Sequence, residues 1–146
     1  MKKTLRIAIV LALIAATVAS LFSCAGQELS EEQAHSLWDN ATYKSDTTLG
    51  SGSKTVTVQV KVGENTVNFT LKTDKATLGE ALMEHSLIEG EAGAYGLYIK
   101  KVNGITADYD VDQSYWGIYK NGEYLMTGVD TTNISNGEHY ELIYEK

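Results

Sequence analysis

The stretch TVTVQVKVGENTVNFTLK, residues 55–72, decides the fold of this chain of 146 residues. Apolar and polar residues alternate through its two halves, which are separated by Gly-Glu-Asn at 63–65. A period of two places successive side chains on opposite faces of a strand. The stretch therefore predicts a β-hairpin with one apolar face. That face comprises Val56, Val58, Val60, Val62, Val67, Phe69 and Leu71.

A helix is predicted directly after this hairpin. Thr77 and Glu80 have the spacing of a capping box, in which each side chain accepts a hydrogen bond from the backbone of the other residue. The apolar spacing that follows extends the helix to about His85 or Leu87.

The rest of the chain predicts further strands. Residues 94–102 have strand character, and residues 115–128 (YWGIYKNGEYLMTG) form a second hairpin around Asn121-Gly122, the favoured type I′ pair. A two-residue turn fixes the register. The predicted pairs are Lys120–Glu123, Tyr119–Tyr124, Ile118–Leu125 and Trp116–Thr127. A last strand is expected from His139 to Tyr144.

The order of these elements predicts the fold class α+β. A hairpin, a helix and then several strands are typical of a β-grasp-like mixed sheet packed on one helix. We expect this domain at residues 55–146, preceded by a signal peptide and a short polar tether.

The amino terminus predicts export. Lys2, Lys3 and Arg6 precede an apolar run that is shorter than the roughly 20 residues of a transmembrane helix. The following Leu-Phe-Ser-Cys at 21–24 resembles a bacterial lipobox. The resemblance implies cleavage before Cys24, attachment of a diacylglyceryl group to its thiol and anchoring to the outer surface of a membrane. A cytosolic chain with a free cysteine and a conventional signal peptide cleaved elsewhere are the alternatives.

Two further segments complete the predicted organisation. Residues 1–23 are the signal peptide, and residues 24–54 are a tether. A capping box at Ser30 and Gln33 predicts a short helix within the tether, to about Asn40. The composition of residues 44–54 predicts a flexible linker.

The charge of the mature chain disfavours polyanionic partners. Removing residues 1–23 leaves nine of the 12 basic residues and all 19 acidic ones, a net charge of −10. This charge repels nucleic acid and anionic lipid headgroups. We therefore expect contact with the membrane through lipid alone and no nucleic-acid partner.

Several segments in order resemble the transcobalamin-like C-terminal domain of bacterial surface proteins, from about Thr73 to Tyr144. The matching segments are residues 77–82 (TLGEAL), 95–99 (YGLYI), 102–104 (VNG), 115–116 (YW), 119–123 (YKNGE) and 127–130 (TGVD). The resemblance implies a β-grasp-like fold. It also implies cobalamin or a related corrinoid as a candidate ligand, because the related domain closes one side of a cobalamin pocket in vertebrate carriers.

Aromatic residues of the second hairpin form the candidate ligand site. Alternation places one set on one face (Tyr115, Tyr119, Tyr124 and Met126) and another on the opposite face (Trp116, Ile118 and Leu125). We expect the face with Trp116 to join the core. The tyrosine face is then a platform for a flat ligand or a sugar. Alternatively, the tyrosines only cover the sheet, because strands favour them. The ligand-binding candidates are Tyr115, Trp116, Tyr119, Tyr124 and Met126.

Motifs for metal binding or catalysis are weak or missing. Asp108, Asp110 and Asp112 have the spacing that opens a calcium loop, but Gln113 and Tyr119 occupy the positions where an EF-hand needs Gly and Glu. A looser calcium site and a solvated acidic loop both fit. The sequence contains no nucleophile motif, no His-Glu-x-x-His and no phosphate-binding glycine loop. We therefore expect no catalytic residues and no metal centre.

These observations favour a membrane-anchored, non-enzymatic binding protein outside the cytoplasm. The expected ligand is a small molecule, with a corrinoid as the candidate. The alternative is a protein-interaction or adhesion module without a small-molecule ligand, in which an exposed strand edge pairs with another protein.

Overall fold

The computed structural model describes residues 28–146, which form a mixed α+β structure dominated by sheet. Cys24 and the predicted signal peptide lie outside the described residues. The helices are α1 (Glu31–Trp38), α2 (Leu78–Glu84) and α3 (Tyr109–Asp112). The strands are β1 (Thr47–Gly50), β2 (Lys54–Val62), β3 (Asn65–Thr73), β4 (Ile88–Gly93), β5 (Gly96–Val102), β6 (Ile105–Thr106), β7 (Tyr115–Lys120), β8 (Glu123–Tyr124) and β9 (His139–Glu145).

Two sheets organise these strands. Six strands form an open sheet in the order β1-β3-β2-β9-β7-β8, and β4-β5-β6 form a smaller sheet. The larger sheet is mixed, because β1 runs parallel to β3 and β9 runs parallel to β2, whereas its other pairs are antiparallel. No helix in residues 28–146 has both the length and the apolar character needed to span a bilayer.

The valine-rich hairpin forms β2 and β3 as predicted. Its register pairs Val62 with Asn65 and Val58 with Phe69. All seven residues of its predicted apolar face are buried, which confirms that face. They share a core with Leu78, Ala81 and Leu82 of α2, and with Tyr140 and Leu142 of β9.

Both predicted capping boxes are confirmed. The Ser30 side chain accepts from the Gln33 backbone N–H at 3.2 Å, and the Gln33 side chain accepts from the Ser30 N–H. Thr77 and Glu80 make the same reciprocal pair at the start of α2. Each box satisfies backbone donors that have no partner inside the first turn of a helix.

Within the predicted linker of residues 44–54, four residues form a strand instead. Thr47–Gly50 is β1, which pairs in parallel with β3 from Thr47 opposite Phe69. Asp46 fixes the start of this pairing, since its Oδ1 accepts from the backbone N–H of Asn68 at 2.8 Å. The composition of residues 44–54 predicted a flexible linker, because composition gives no information about pairing with β3, about 20 residues further along the chain.

The second hairpin has the predicted turn but a shorter ladder. Asn121 and Gly122 have φ values of 51° and 83°, as a type I′ turn requires. Lys120 pairs with Glu123 and Tyr119 with Tyr124, and the Leu125 N–H donates to the Ile118 carbonyl. The predicted pairing of Trp116 with Thr127 is wrong, because the β7–β8 ladder ends after two pairs.

Candidate functional site

An open groove of about 980 Å³ lies between the smaller sheet and the second hairpin. One wall comes from β4, β5 and the turn between them, and the other from β7, β8 and the residues that follow to Gly128. Helix α3 contributes Tyr109 and Asp110. This volume is at the upper end of the range of small-molecule sites, roughly 300–1,000 Å³.

The groove is lined by aromatic side chains from three separate segments. They are Tyr95 and Tyr98 around β5, Tyr109 on α3, and Tyr115, Trp116 and Tyr124 on the second hairpin. Trp116 is only 5% exposed and packs edge-on against Tyr144, with ring centroids 5.5 Å apart. The predicted inward orientation of Trp116 therefore agrees with its burial.

The rim of the groove exposes apolar surface. Tyr95 is 95% exposed and Met126 is 89% exposed, while Tyr98, Tyr109 and Tyr124 are exposed to a smaller extent. Large apolar side chains that are grouped and exposed on a small domain are typical of ligand or partner sites. The rim therefore marks this surface as the candidate site.

The five ligand-binding candidates from the sequence do not all reach the groove. Tyr115, Trp116, Tyr124 and Met126 line it, together with Ile118 and Leu125 from the opposite predicted face. Tyr119 is not among the lining residues. Its ring packs edge-on against Tyr124 at 5.3 Å.

The hydroxyl groups of Tyr115 and Tyr119 converge on one carboxylate. Both donate to Glu145 on β9, Tyr115 at 3.1 Å to Oε2 and Tyr119 to Oε1. Burial raises the pKa of Tyr115, and the Glu145 carboxylate adds to this effect. The hydrogen bond to Glu145 raises the pKa of Tyr119 to about 12. Both phenols therefore stay protonated at neutral pH and act as fixed donors.

Charged side chains of the groove are mostly acidic. Glu91, Asp108 and Asp110 line it, and Lys100 is the one basic residue that the described part of the chain contributes to it. The Lys100 Nζ lies 3.5 Å from Glu91 Oε2 and 4.0 Å from Asp108 Oδ2. Asp110 makes no salt bridge within the described part of the chain. The groove therefore combines an apolar surface with an excess of negative charge.

The acidic residues of the loop before β7 are spread around α3. Asp108 caps this helix by accepting from the Asp110 N–H at 3.0 Å. Asp112 accepts from Ser114 Oγ at 2.5 Å and from Lys146 Nζ at 3.3 Å. The hydrogen bond from Ser114 lowers the pKa of Asp112. Residues 28–146 contain no cluster of three His, Cys, Asp or Glu side chains arranged to hold a metal ion.

Sequence reasoning missed one wall of the groove. Tyr95, Tyr98 and Tyr109 were not among the candidates, although Tyr95-Gly96-Leu97-Tyr98 was part of the family resemblance. The occurrence of tyrosines at positions 95, 98 and 109 was the one sequence feature that could have pointed to this wall. It could not show that β5 and α3 face the second hairpin.

Comparison with known proteins places the domain in a family. Residues 75–146 match the family model described as domain of unknown function DUF4430. A crystal structure of a candidate metal-binding protein from Ruminococcus gnavus ATCC 29149 is similar at 40% sequence identity and a TM-score of 0.61. The match covers 64% of this chain and 98% of that chain. This chain therefore belongs to the DUF4430 family, and the recognition of a transcobalamin-like domain is confirmed.

A second solved structure resembles the chain more distantly. Haptocorrin in complex with Cbi has 24% identity and a TM-score of 0.49, over 67% of this chain and 26% of the haptocorrin chain. No curated protein matches the sequence.

Proposed function

We propose that this protein is a lipid-anchored, extracytoplasmic binding protein without catalytic activity, whose aromatic groove holds a small molecule. The observation that carries the proposal is the convergence of aromatic side chains from β5, α3 and the second hairpin on one open groove. Aromatic walls with a few polar groups are typical of sites that bind flat organic ligands. The β-grasp-like arrangement, in which the mixed sheet curls over α2, is the frame that we infer for this groove.

A corrinoid is the first candidate ligand. It follows from the transcobalamin-like family and from the size of the groove. The relative from Ruminococcus gnavus is described as a candidate metal-binding protein. The described residues contain no group of three His, Cys, Asp or Glu side chains that could hold a metal ion. The proposal therefore rests on the groove and not on a metal site.

Two exposed methionines provide a matched test of ligand binding. Met126 lines the groove, whereas Met83 lies on α2 away from it. Both side chains are exposed, so neither substitution is expected to unfold the protein. Full-length protein is purified, examined for corrinoid absorbance and titrated with cobinamide in a thermal-shift assay. Met126→Ala should weaken binding several-fold, and Met83→Ala should leave it unchanged. Equal effects of the two substitutions would contradict the assignment of the groove.

The membrane anchor is tested at Cys24. The positive head, the apolar run and the lipobox-like Leu-Phe-Ser-Cys at 21–24 support lipidation. Two acyl chains hold a protein at a membrane stably, whereas one chain binds only marginally. Mass spectrometry of the native protein should find a diacylglyceryl-modified cysteine as the first residue, and Cys24→Ser should release the protein from membranes. An intact Met1 on a soluble product would refute the anchor.

The alternative function is supported by the edge of the larger sheet. Strand β8 is an edge strand, and both Glu123 and Tyr124 are exposed. Its free backbone groups could pair with a strand of another protein. A colourless protein that shows no thermal shift with corrinoids, but that loses a partner when Tyr124 is replaced by proline, would favour this interaction module over the small-molecule site.

A further inference from the structure

We infer that the groove selects a positively charged organic ligand, such as a protonated or quaternary amine carried on an apolar or aromatic body. The inference rests on the proposed function, because it names the chemical class of the ligand that the groove binds. It depends on the charges and the aromatic faces of the groove, and not on the identity of any relative.

The first observation is the charge balance of the lining. Among the described residues, three acidic ones (Glu91, Asp108 and Asp110) and one basic one (Lys100) line the groove. Lys100 already lies within 4.0 Å of Glu91 and Asp108, so its charge is shared between them. The excess negative charge is therefore concentrated near Asp110, which has no salt-bridge partner among residues 28–146. An anionic ligand would meet repulsion here.

The second observation is the number of aromatic side chains that line the groove together with these carboxylates. Tyr98, Tyr109, Tyr115 and Tyr124 share the groove with Glu91, Asp108 and Asp110. The face of an aromatic ring attracts a cation through its quadrupole, most strongly where water is partly excluded. A contact of this kind occurs outside the groove, where Lys120 Nζ lies 5.5 Å from the centre of the Tyr140 ring.

The same features favour an organic cation over a metal ion. Asp108 Oδ1 accepts from a backbone N–H, and both carboxylate oxygens of Asp112 accept hydrogen bonds. Hard cations such as Ca²⁺ need six to eight oxygen ligands. The described residues do not bring even three acidic, histidine or cysteine side chains together for a metal ion. An organic cation needs no such shell, because its apolar body can contact the tyrosine rings while its charge lies near the carboxylates.

The net charge of the protein acts in the same direction. The full chain carries −7 at pH 7, and the chain without residues 1–23 carries −10, so the overall field of the protein attracts cations. The groove adds low-dielectric aromatic walls to this field, which strengthens the attraction locally.

Three small phenols that differ only in their terminal group test the inference. Tyramine is a cation, tyrosol is neutral and 4-hydroxyphenylacetate is an anion at pH 7, while all three present the same aromatic body. Their affinities are measured by NMR titration of the full-length protein in a neutral maltoside detergent, with the indole N–H signal of Trp116, a groove-lining residue, as the reporter. We expect tyramine to bind about threefold more tightly than tyrosol and about tenfold more tightly than 4-hydroxyphenylacetate.

The substitution Asp110→Asn tests the contribution of one carboxylate charge to ligand binding. It removes one exposed carboxylate, and it preserves the cap of α3 because that hydrogen bond uses the Asp110 backbone N–H. It should weaken tyramine about threefold and leave tyrosol unchanged. The matched control is Glu64→Gln in the exposed turn between β2 and β3, which should alter neither ligand.

The outcomes separate the two proposals. Equal affinities for the three phenols, or tighter binding of the anion, would overturn the inference and leave a small-molecule groove in place. Loss of tyramine binding in Glu64→Gln to the same extent as in Asp110→Asn would also overturn it, because the effect would then come from net charge. If tyramine, tyrosol and cobinamide all leave the Trp116 signal unperturbed, the proposed function itself fails.

Discussion

Replacing Glu138 by glutamine removes a carboxylate that three donors share. Lys120 Nζ lies 2.6 Å from Oε1, and Oε2 accepts from the Tyr140 hydroxyl at 2.6 Å and from the Ser135 N–H at 2.9 Å. The three contacts join the end of β7, the turn at 135–138 and the start of β9. Glu138 therefore connects the neighbouring strands β9 and β7 of the larger sheet.

The structure gives the size and the sign of the effect. Burial alone would raise the pKa of Glu138, but the hydrogen bonds from Lys120, Tyr140 and Ser135 outweigh it and lower the pKa to about 2 from the ordinary 4.5. The side chain is 22% exposed, so solvent screens these contacts only in part. At 1.36 kcal/mol per pKa unit, the ionised form stabilises the fold by about 3 kcal/mol.

This stabilisation depends on pH in one direction. A group whose pKa is lower in the folded state contributes fully above its unfolded pKa and loses its contribution as pH falls toward its folded pKa. For Glu138 the contribution is complete above about pH 5, is about 1.5 kcal/mol at pH 3 and vanishes below pH 2. We expect Glu138→Gln to cost about 3 kcal/mol at pH 7 and about half of that at pH 3.

Urea denaturation of the full-length protein at pH 7 and pH 3 measures both values. Glu141→Gln is the matched control, because Glu141 is a half-buried glutamate on β9, which begins directly after Glu138. The control should change the free energy of unfolding by less than about 0.5 kcal/mol at either pH. A cost of Glu138→Gln that is the same at pH 7 and pH 3 would refute the reasoning, since it would mean that packing and not charge holds this residue.

Three further substitutions test the core, a helix start and a turn by urea denaturation. Phe69→Ala should cost about 3–5 kcal/mol, because the ring is fully buried and packs edge-on with Tyr43 at 5.4 Å; a cost below about 2 kcal/mol would contradict this packing. Thr77→Ala should cost about 1 kcal/mol through loss of the cap to Glu80, whereas Thr77→Ser should be nearly neutral. Gly122→Ala should cost about 1 kcal/mol from positive φ alone, because among residues 28–146 no atom beyond the two chain neighbours lies within 4 Å of the new Cβ; an unchanged midpoint would refute the type I′ turn.

Short-range sequence patterns predicted much of this fold correctly. The alternation in residues 55–72 identified β2 and β3, and the pairs at Ser30–Gln33 and Thr77–Glu80 marked the starts of α1 and α2. Asn121-Gly122 fixed the turn and the first two pairs of the second hairpin. In each case the determining contacts join residues only a few positions apart, or the two strands of one hairpin.

Contacts between distant residues limited the prediction. Thr47–Gly50 forms a strand because β3 is available beside it, and Asp46 meets Asn68 across 22 positions of sequence. The β7–β8 ladder ends after two pairs, and Trp116 instead faces Tyr144 on β9. Neither fact follows from the residues within the segment itself, since both depend on which strand lies next to it in the folded sheet.

The groove depends on a hydrogen bond between β5 and the loop after β8, which the sequence did not reveal. The Leu97 N–H donates to Asp130 Oδ1 at 3.0 Å across 33 positions of sequence, which holds the start of β5 against the loop after β8. Gly96 and Gly128 permit this approach, because a Cβ at either position would lie 2.5 or 2.6 Å from the same oxygen. Sequence patterns predict only that Gly96 and Gly128 lie in turns. In the fold, both positions need glycine because the Asp130 carboxylate lies where a side chain would begin. Tyrosines of β5 and of the second hairpin line one groove because this hydrogen bond brings together two walls that belong to different sheets.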